Sequence, residues 1–139
     1  MAVFVGSFEN RVDKKGRLSV PAPFRQALEG QSFQGIIVFP SRRADALEGC
    51  GMDLMEKLIE QQDEDDMFGD GPETDPANIF YNLQRVPFDG DGRVILPADM
   101  REDSDITDMA IFVGVGKRFQ IWAPERLESY RNRNGEGKA

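Results

Sequence analysis

Histidine is absent from the 139 residues of this chain, and cysteine occurs once, as Cys50. Without histidine the chain lacks the most common general base and the most common transition-metal ligand. A single cysteine forms no internal disulfide, and with no histidine to activate it we expect Cys50 to be a small buried residue. These absences leave no reaction that can be named, so the sequence predicts no enzymatic activity, no cofactor and no metal.

Long apolar runs are also missing. No stretch approaches the ~18 apolar residues that a membrane-spanning helix needs, and the N-terminal residues lack a basic start followed by an apolar stretch. We therefore expect neither a membrane span nor a signal peptide, and a cytoplasmic location is the default. A chain of this length with 40% hydrophobic residues has the size of one domain with a modest core.

The formal net charge is -8 at pH 7, which by itself disfavours binding to a polyanion. This charge is unevenly distributed along the chain. Residues 1–43 hold seven basic and three acidic side chains, whereas residues 44–75 hold one lysine and twelve carboxylates. The negative charge therefore belongs mainly to a central segment, and the N-terminal part can present a positive surface.

An internal repeat runs through the chain. The segment DKKGRLSVP at 13–21 aligns with DGDGRVILP at 89–97, so that Asp, Gly, Arg and Pro coincide. The match continues four residues beyond each proline, where Arg25 corresponds to Arg101, and reaches the apolar runs further along. We infer two halves of one design, each built around a DxxGR turn.

Both halves have the same order of predicted elements. Strands over 8–12 and 84–88 lead into the two turns, and strands over 17–20 and 93–96 leave them, which predicts a hairpin in each half. Glycine at the fourth position of DxxG suits a residue with positive φ, and aspartate at the first can bond the turn's own amides. Further strands are predicted over 35–39, 46–50, 109–114 and 118–122, and helices over 22–28, 52–61, 98–103 and 124–131.

Two further segments lie between the turns. The helix over 52–61 carries an apolar stripe of Leu54, Met55, Leu58 and Ile59, which we expect to belong to the core. The acidic segment that follows would place Phe68 and Ala77 at ligand positions of a calcium loop, so a solvated linker is the better interpretation. The predicted organisation is a first repeat over 1–62, an acidic linker over 63–77, a second repeat over 78–131 and a flexible tail over 132–139.

The arginines that follow the turn glycines, Arg17 and Arg93, are the main candidates for a binding function. A guanidinium offers a fork of donors that suits the edge of guanine or a phosphate. The alternative is structural, since Asp13 could pair with Arg17, and Asp89 with Arg93, only to brace the turns. Both interpretations remain open at this point.

The two turns differ in their flanking residues. Around the first turn Arg11, Lys14 and Lys15 add positive charge, whereas in the second Gly90 and Asp91 replace the two lysines. We therefore predict unequal repeats. The first should make the main contacts with DNA, and the second should contribute more to folding and assembly.

The chain resembles the MraZ family of transcriptional regulators in FENRVDKKGRLSVPAPFR, VPFDGDGRVILPADMR and FVGVGKRFQIWAPERLESY, over about Phe4 to Tyr130. The resemblance implies an α+β, mainly β fold of the AbrB-like swapped-hairpin type, in which two tandem repeats form one pseudo-symmetric β-barrel with short helices. It also implies a ring of several subunits. By position, the family's DNA-reading motif falls on Asp13 to Arg17 and Asp89 to Arg93.

The resemblance further implies a regulator, with repression as the expected mode, that binds direct repeats of double-stranded DNA. These lie in the promoter region of the bacterial division and cell-wall gene cluster, which would place the protein at the nucleoid. A scaffold or antitoxin-like assembly whose acidic segment captures a basic partner is the alternative. We expect DNA contacts from Arg11, Lys14, Lys15, Arg17 and Arg93, with Asp13, Gly16, Asp89 and Gly92 organising the turns.

Overall fold

The computed structural model describes residues 1–65 and 80–133. Most of the predicted acidic linker falls in the segment 66–79, which lies outside the described residues, and so do residues 134–139 of the predicted tail. Within the described part, no helix is long and apolar enough to cross a membrane.

The described strands and helices follow the predicted order and confirm each predicted element, with small shifts at the ends. The helix predicted over 52–61 is longer than expected and continues into the acidic segment as far as Asp65. The first repeat contains β1 Ser7–Arg11, β2 Arg17–Ser19, α1 Ala22–Ala27, β3 Gly35–Pro40, β4 Leu47–Cys50 and α2 Met52–Asp65. The second contains β5 Gln84–Pro87, β6 Arg93–Ile95, α3 Ala98–Asp103, β7 Met109–Gly114, β8 Phe119–Trp122 and α4 Pro124–Arg133.

The described strands form a six-stranded antiparallel sheet and a separate two-stranded ribbon. The sheet order is β1-β7-β8-β4-β3-β5, and the ribbon pairs β2 with β6. This order is symmetric about the central pair of β8 and β4, because each strand of one repeat has its counterpart at the mirrored position. The described strands therefore show the pseudo-symmetry of two repeats, but as an open sheet with a ribbon rather than as the expected closed barrel.

The hairpin predicted within each half closes only at its turn. In the first half the Asp13 N–H donates to the Arg17 carbonyl at 3.0 Å, and one isolated bridge joins Val12 to Leu18. Beyond the turn, β1 pairs with β7 and β2 pairs with β6, so both strands join the opposite half. A lone two-stranded hairpin is marginal in water, whereas the exchange places Leu18 opposite Val94 in a shared core.

The main core is built from both repeats. Its centre is a cluster of four buried phenylalanines, whose ring centroids are 4.9 to 6.0 Å apart in the contacting pairs. These are Phe4, Phe24, Phe112 and Phe119. Because Phe24 lies in α1, the cluster fixes that short helix to the core. Since rings from both halves are needed, neither half has this core by itself.

A smaller core lies around Cys50, which is fully buried as predicted. Burial raises the pKa of the Cys50 thiol to about 12, so it remains protonated at neutral pH. This smaller core covers only the first part of the α2 stripe. Leu54 and Met55 are buried, but Leu58 and Ile59 are 42% and 44% exposed, so the prediction that the whole stripe is core is wrong.

Candidate nucleic-acid interface

The first DxxGR turn is organised by the carboxylate of Asp13. One of its oxygens accepts hydrogen bonds from the N–H groups of Lys15 and Arg17, both at 2.9 Å, and the other accepts one from Arg17 Nε at 2.5 Å. These bonds favour the charged form, and that from the Arg17 N–H contributes most to lowering the pKa of Asp13. Gly16 has a φ of +83°, a conformation that glycine adopts freely.

The second turn repeats this backbone. Asp89 accepts from the N–H groups of Asp91 and Arg93 at 2.8 and 2.9 Å, and Gly92 has a φ of +75°. The hydrogen bond from the Arg93 N–H is the main cause of the lowered pKa of Asp89. The two turns are therefore equivalent in their backbone, although both residues between Asp and Gly differ.

The brace between aspartate and arginine is present in the first turn, and it uses only one side of the guanidinium. Arg17 donates a hydrogen bond from Nε to Asp13, and the Arg17 side chain remains 35% exposed. Among the residues that the structure describes, no hydrogen bond engages Nη1 or Nη2 of Arg17. Bracing and access to solvent thus coexist, and the outer edge of the fork is open to a ligand.

In the second turn the guanidinium is held more completely. Arg93 donates from Nε to Asp89 at 3.0 Å and from Nη2 to Asp91 at 3.1 Å, and its side chain is 31% exposed. Asp91 occupies the position that Lys15 has in the first turn. Two carboxylates therefore compete with any anionic ligand for Arg93.

The flanking cations exist only in the first turn. Arg11, Lys14 and Lys15 are exposed, and none of them forms an ion pair with the residues described here. Their counterparts by the repeat are Pro87, Gly90 and Asp91. Among the turn residues and these flanking positions, the first turn therefore has four cations and one carboxylate, and the second has one arginine and two carboxylates.

The ribbon joins the two turns. β2 and β6 start directly after the turns, and their register places Arg17 opposite Ile95 and Ser19 opposite Arg93. Past the paired strands, the Val20 N–H donates to the Gly92 carbonyl at 3.3 Å. The turns are thus the two ends of one short ribbon, and each is bonded to the strand that leaves the other.

Two arginines beside the turns, Arg25 and Arg101, received no role from the sequence. Arg25 Nε donates to the Val20 carbonyl at 3.0 Å, and Arg101 Nε donates to the Leu96 carbonyl at 3.3 Å. Both are half-buried and lie against the glycine of a turn. Their recurrence four residues after each proline was the signal that could have identified them.

The fold and the turns define a class of protein with two repeats, in which exchanged strands bring two arginine-bearing turns onto one ribbon. The family described as "MraZ protein, putative antitoxin-like" matches residues 3–43 and 79–137. The chain belongs to the MraZ family.

Three curated relatives carry the name "Transcriptional regulator MraZ". The protein of Rhodospirillum rubrum is 41% identical over an alignment that covers 100% of this chain and 91% of the relative. Those of Rickettsia felis and Rickettsia bellii are 40% identical, with 95% and 94% of this chain and 89% and 87% of the relatives covered. The similarity to transcriptional regulators therefore extends over nearly the whole chain.

Proposed function

We propose that this chain is a sequence-specific DNA-binding transcriptional regulator whose first turn makes the main contacts. The observation that carries the proposal is the open outer edge of Arg17, together with three exposed cations at flanking positions that form no ion pair with the described residues. Such a cluster attracts a polyanion locally even though the whole chain is negative.

The residues of the first turn have different roles in DNA binding. Arg11, Lys14 and Lys15 neutralise phosphates and hold the protein on the duplex, which fixes orientation without reading sequence. Arg17 reads a base edge, with guanine as the preferred base because its O6 and N7 match two guanidinium donors. Asp13 holds Nε of Arg17 at 2.5 Å, so less side-chain freedom is lost on binding.

The second turn has a smaller part in DNA binding. Arg93 must leave Asp91, and in part Asp89, before it can meet a phosphate or a base. Asp91 itself repels the DNA backbone at the position where Lys15 attracts it. We propose that this turn serves the ribbon and the assembly of subunits more than recognition.

Assembly completes the proposal. A single turn with four cations binds weakly, whereas several copies fixed in a closed ring engage neighbouring sites at a high effective concentration. We propose that such a ring binds direct repeats in the promoter region of the bacterial division and cell-wall gene cluster and represses transcription there, in the cytoplasm at the nucleoid. The support is the resemblance in both turns and in RFQIWAPERLESY.

The test is an anisotropy titration with a duplex from upstream of the protein's own gene, over a series of salt concentrations. Arg17→Ala should weaken binding roughly tenfold to a hundredfold, the value of a lost bidentate base contact, and Arg93→Ala should weaken it less. Wild-type affinity should fall steeply with salt. Arg42→Ala removes an exposed arginine of the same repeat outside the turns and serves as the matched control.

A flat salt response, or wild-type affinity in Arg17→Ala, would overturn the proposal. A larger loss from Arg93→Ala than from Arg17→Ala would overturn the assignment of the main contacts to the first turn. The alternative of a scaffold that captures a basic partner depends on the acidic segment, most of which lies outside the described residues.

A further inference from the structure

Arg25 and Arg101 occupy equivalent places in the two short helices α1 and α3. Each follows a buried residue that fixes its helix to the core, Phe24 in α1 and Met100 in α3. This attachment sets the direction in which the arginine leaves the helix. Because both helices begin just after the ribbon strands, the two guanidinium groups lie at the ends of the ribbon.

The arginines reach across the pseudo-symmetric structure. Arg101, from the second repeat, lies on Gly16 of the first turn, and a Cβ built on Gly16 would be 2.9 Å from its Cζ. Arg25, from the first repeat, lies on Gly92 of the second turn, where a Cβ would be 2.6 Å from its Nη1. Each turn is therefore covered by the opposite repeat, and a side chain at either glycine would require the arginine to shift.

Two successive hydrogen bonds also connect Arg101 to the first turn. Arg101 Nε donates to the Leu96 carbonyl at 3.3 Å, and the Leu96 N–H donates to the Gly16 carbonyl at 3.2 Å. Arg101 thus contacts Gly16 directly and also through the backbone of Leu96. At the second turn the same relation links Arg25, Val20 and Gly92.

We propose that Arg101 is a positioning residue for the first turn and Arg25 for the second, so that each turn is held by the opposite repeat. The inference rests on the proposed function, because its consequence concerns DNA binding by Arg17. Replacing Arg101 in the second repeat affects the DNA-binding turn more than replacing Arg25, although Arg25 belongs to the same repeat as Arg17.

The same titration tests this inference with the pair Arg101→Ala and Arg25→Ala. Misplacement of Arg17 forfeits part of its base contact, so Arg101→Ala should weaken binding roughly tenfold and Arg25→Ala less than about threefold. Arg101→Lys keeps the charge but loses the planar group and its Nε, so it should not restore affinity. Restoration by lysine, or an equal loss in the two alanine variants, would overturn the inference.

Amide hydrogen exchange gives a second reading that does not involve DNA. Arg101→Ala should speed exchange at Gly16 and leave Gly92 unchanged, and Arg25→Ala should do the reverse. A general loss of stability would instead speed exchange at both turns, which would contradict a positioning role. If Arg101→Ala fails to fold, Arg101→Lys should speed exchange at Gly16 and leave Gly92 unchanged, and slow exchange at Gly16 in that variant would contradict the inference.

Arg17→Ala in the same series distinguishes a failure of the proposed DNA-binding function from a failure of the crossed positioning by Arg101 and Arg25. If Arg17→Ala binds like the wild type, the proposed function fails, and the exchange pattern still decides the crossed positioning. If Arg17→Ala binds weakly while Arg101→Ala binds like the wild type, the inference fails and the proposed function stands.

Discussion

Around the first turn one carboxylate engages one guanidinium nitrogen of Arg17, whereas in the second turn two carboxylates engage two guanidinium nitrogens of Arg93. The first has three further exposed cations at Arg11, Lys14 and Lys15, and the second has none at the matching positions. The backbone hydrogen bonds of the two turns are nevertheless the same.

The residues that form each turn are therefore different from the residues that set its charge. Asp, Gly and Arg recur because the backbone conformation requires the first two and the brace requires the third. The residues between them set the charge that a ligand meets. A repeated DxxGR motif therefore identifies a repeated shape, and its flanking residues set the local charge of each copy.

The largest effect is expected from giving the first turn the residues of the second. Lys14→Gly with Lys15→Asp changes the local charge by three units and places a carboxylate beside Arg17. Loss of two phosphate contacts should weaken DNA binding roughly a hundredfold at low salt and reduce the slope of log affinity against log salt by about 2. Anisotropy titrations at several salt concentrations measure both quantities.

The matched control is Arg42→Gly with Arg43→Asp, which makes the same charge change at two exposed residues outside the turns. An equal loss in this control would show that only total charge matters.

In the reverse exchange, Gly90→Lys with Asp91→Lys frees Arg93 of Asp91, and Gly90 has open space for a side chain. That variant should bind DNA about tenfold more tightly than the wild type.

A smaller effect is expected from the turn glycines, and here the two turns should be alike in stability. Gly16→Ala and Gly92→Ala each force a positive φ on alanine, at a cost of about 1 to 2 kcal/mol in the free energy of unfolding, and each displaces an arginine. Urea denaturation measures this cost. DNA titration should then separate the two, because only Gly16→Ala disturbs the turn that we propose makes the main DNA contacts.

Gly30→Ala is the control for backbone strain alone, since Gly30 has a φ of +80° and no atom lies within 4 Å of a built Cβ. It should cost less stability than either turn variant. Equal stability of Gly16→Ala and Gly30→Ala would contradict the expected cost of displacing Arg101.

The smallest effect is the response of the turns to acid. The pKa values of Asp13 and Asp89 are lowered in the folded chain, so their contribution to stability is present above the ordinary value of 3.8 and is lost as the pH falls through the folded values. Urea denaturation between about pH 5 and pH 2 follows this loss. Asp13→Asn and Asp89→Asn should each flatten the dependence by a similar amount, because both carboxylates accept the same set of bonds.

At neutral pH these asparagine variants should lose about as much stability as the wild type loses on acidification, because the neutral amide keeps an accepting oxygen but forms no ion pair with the arginine. An unchanged acid dependence in both variants would show that the aspartates titrate as they do in the unfolded chain.

The sequence predicted the order and type of the elements well, because they follow from local preferences. Proline, glycine and apolar spacing determine where a strand or short helix starts and ends within a few residues. The same reasoning failed for the α2 stripe, where Leu58 and Ile59 are exposed. Periodicity gives the apolar face of a helix but not how much of that face another element covers.

By itself the sequence determined the two DxxGR turns, their unequal charge and the equivalence of Arg25 and Arg101, since all of these are properties of neighbouring or repeated residues. Only the tertiary structure decided that β1 pairs with β7 and β2 with β6, and that Arg101 lies on Gly16. The physical reason is that strand partners are selected by burying apolar side chains from distant parts of the chain. The pairing of strands therefore depends on the whole core and cannot be read from any short segment of the sequence.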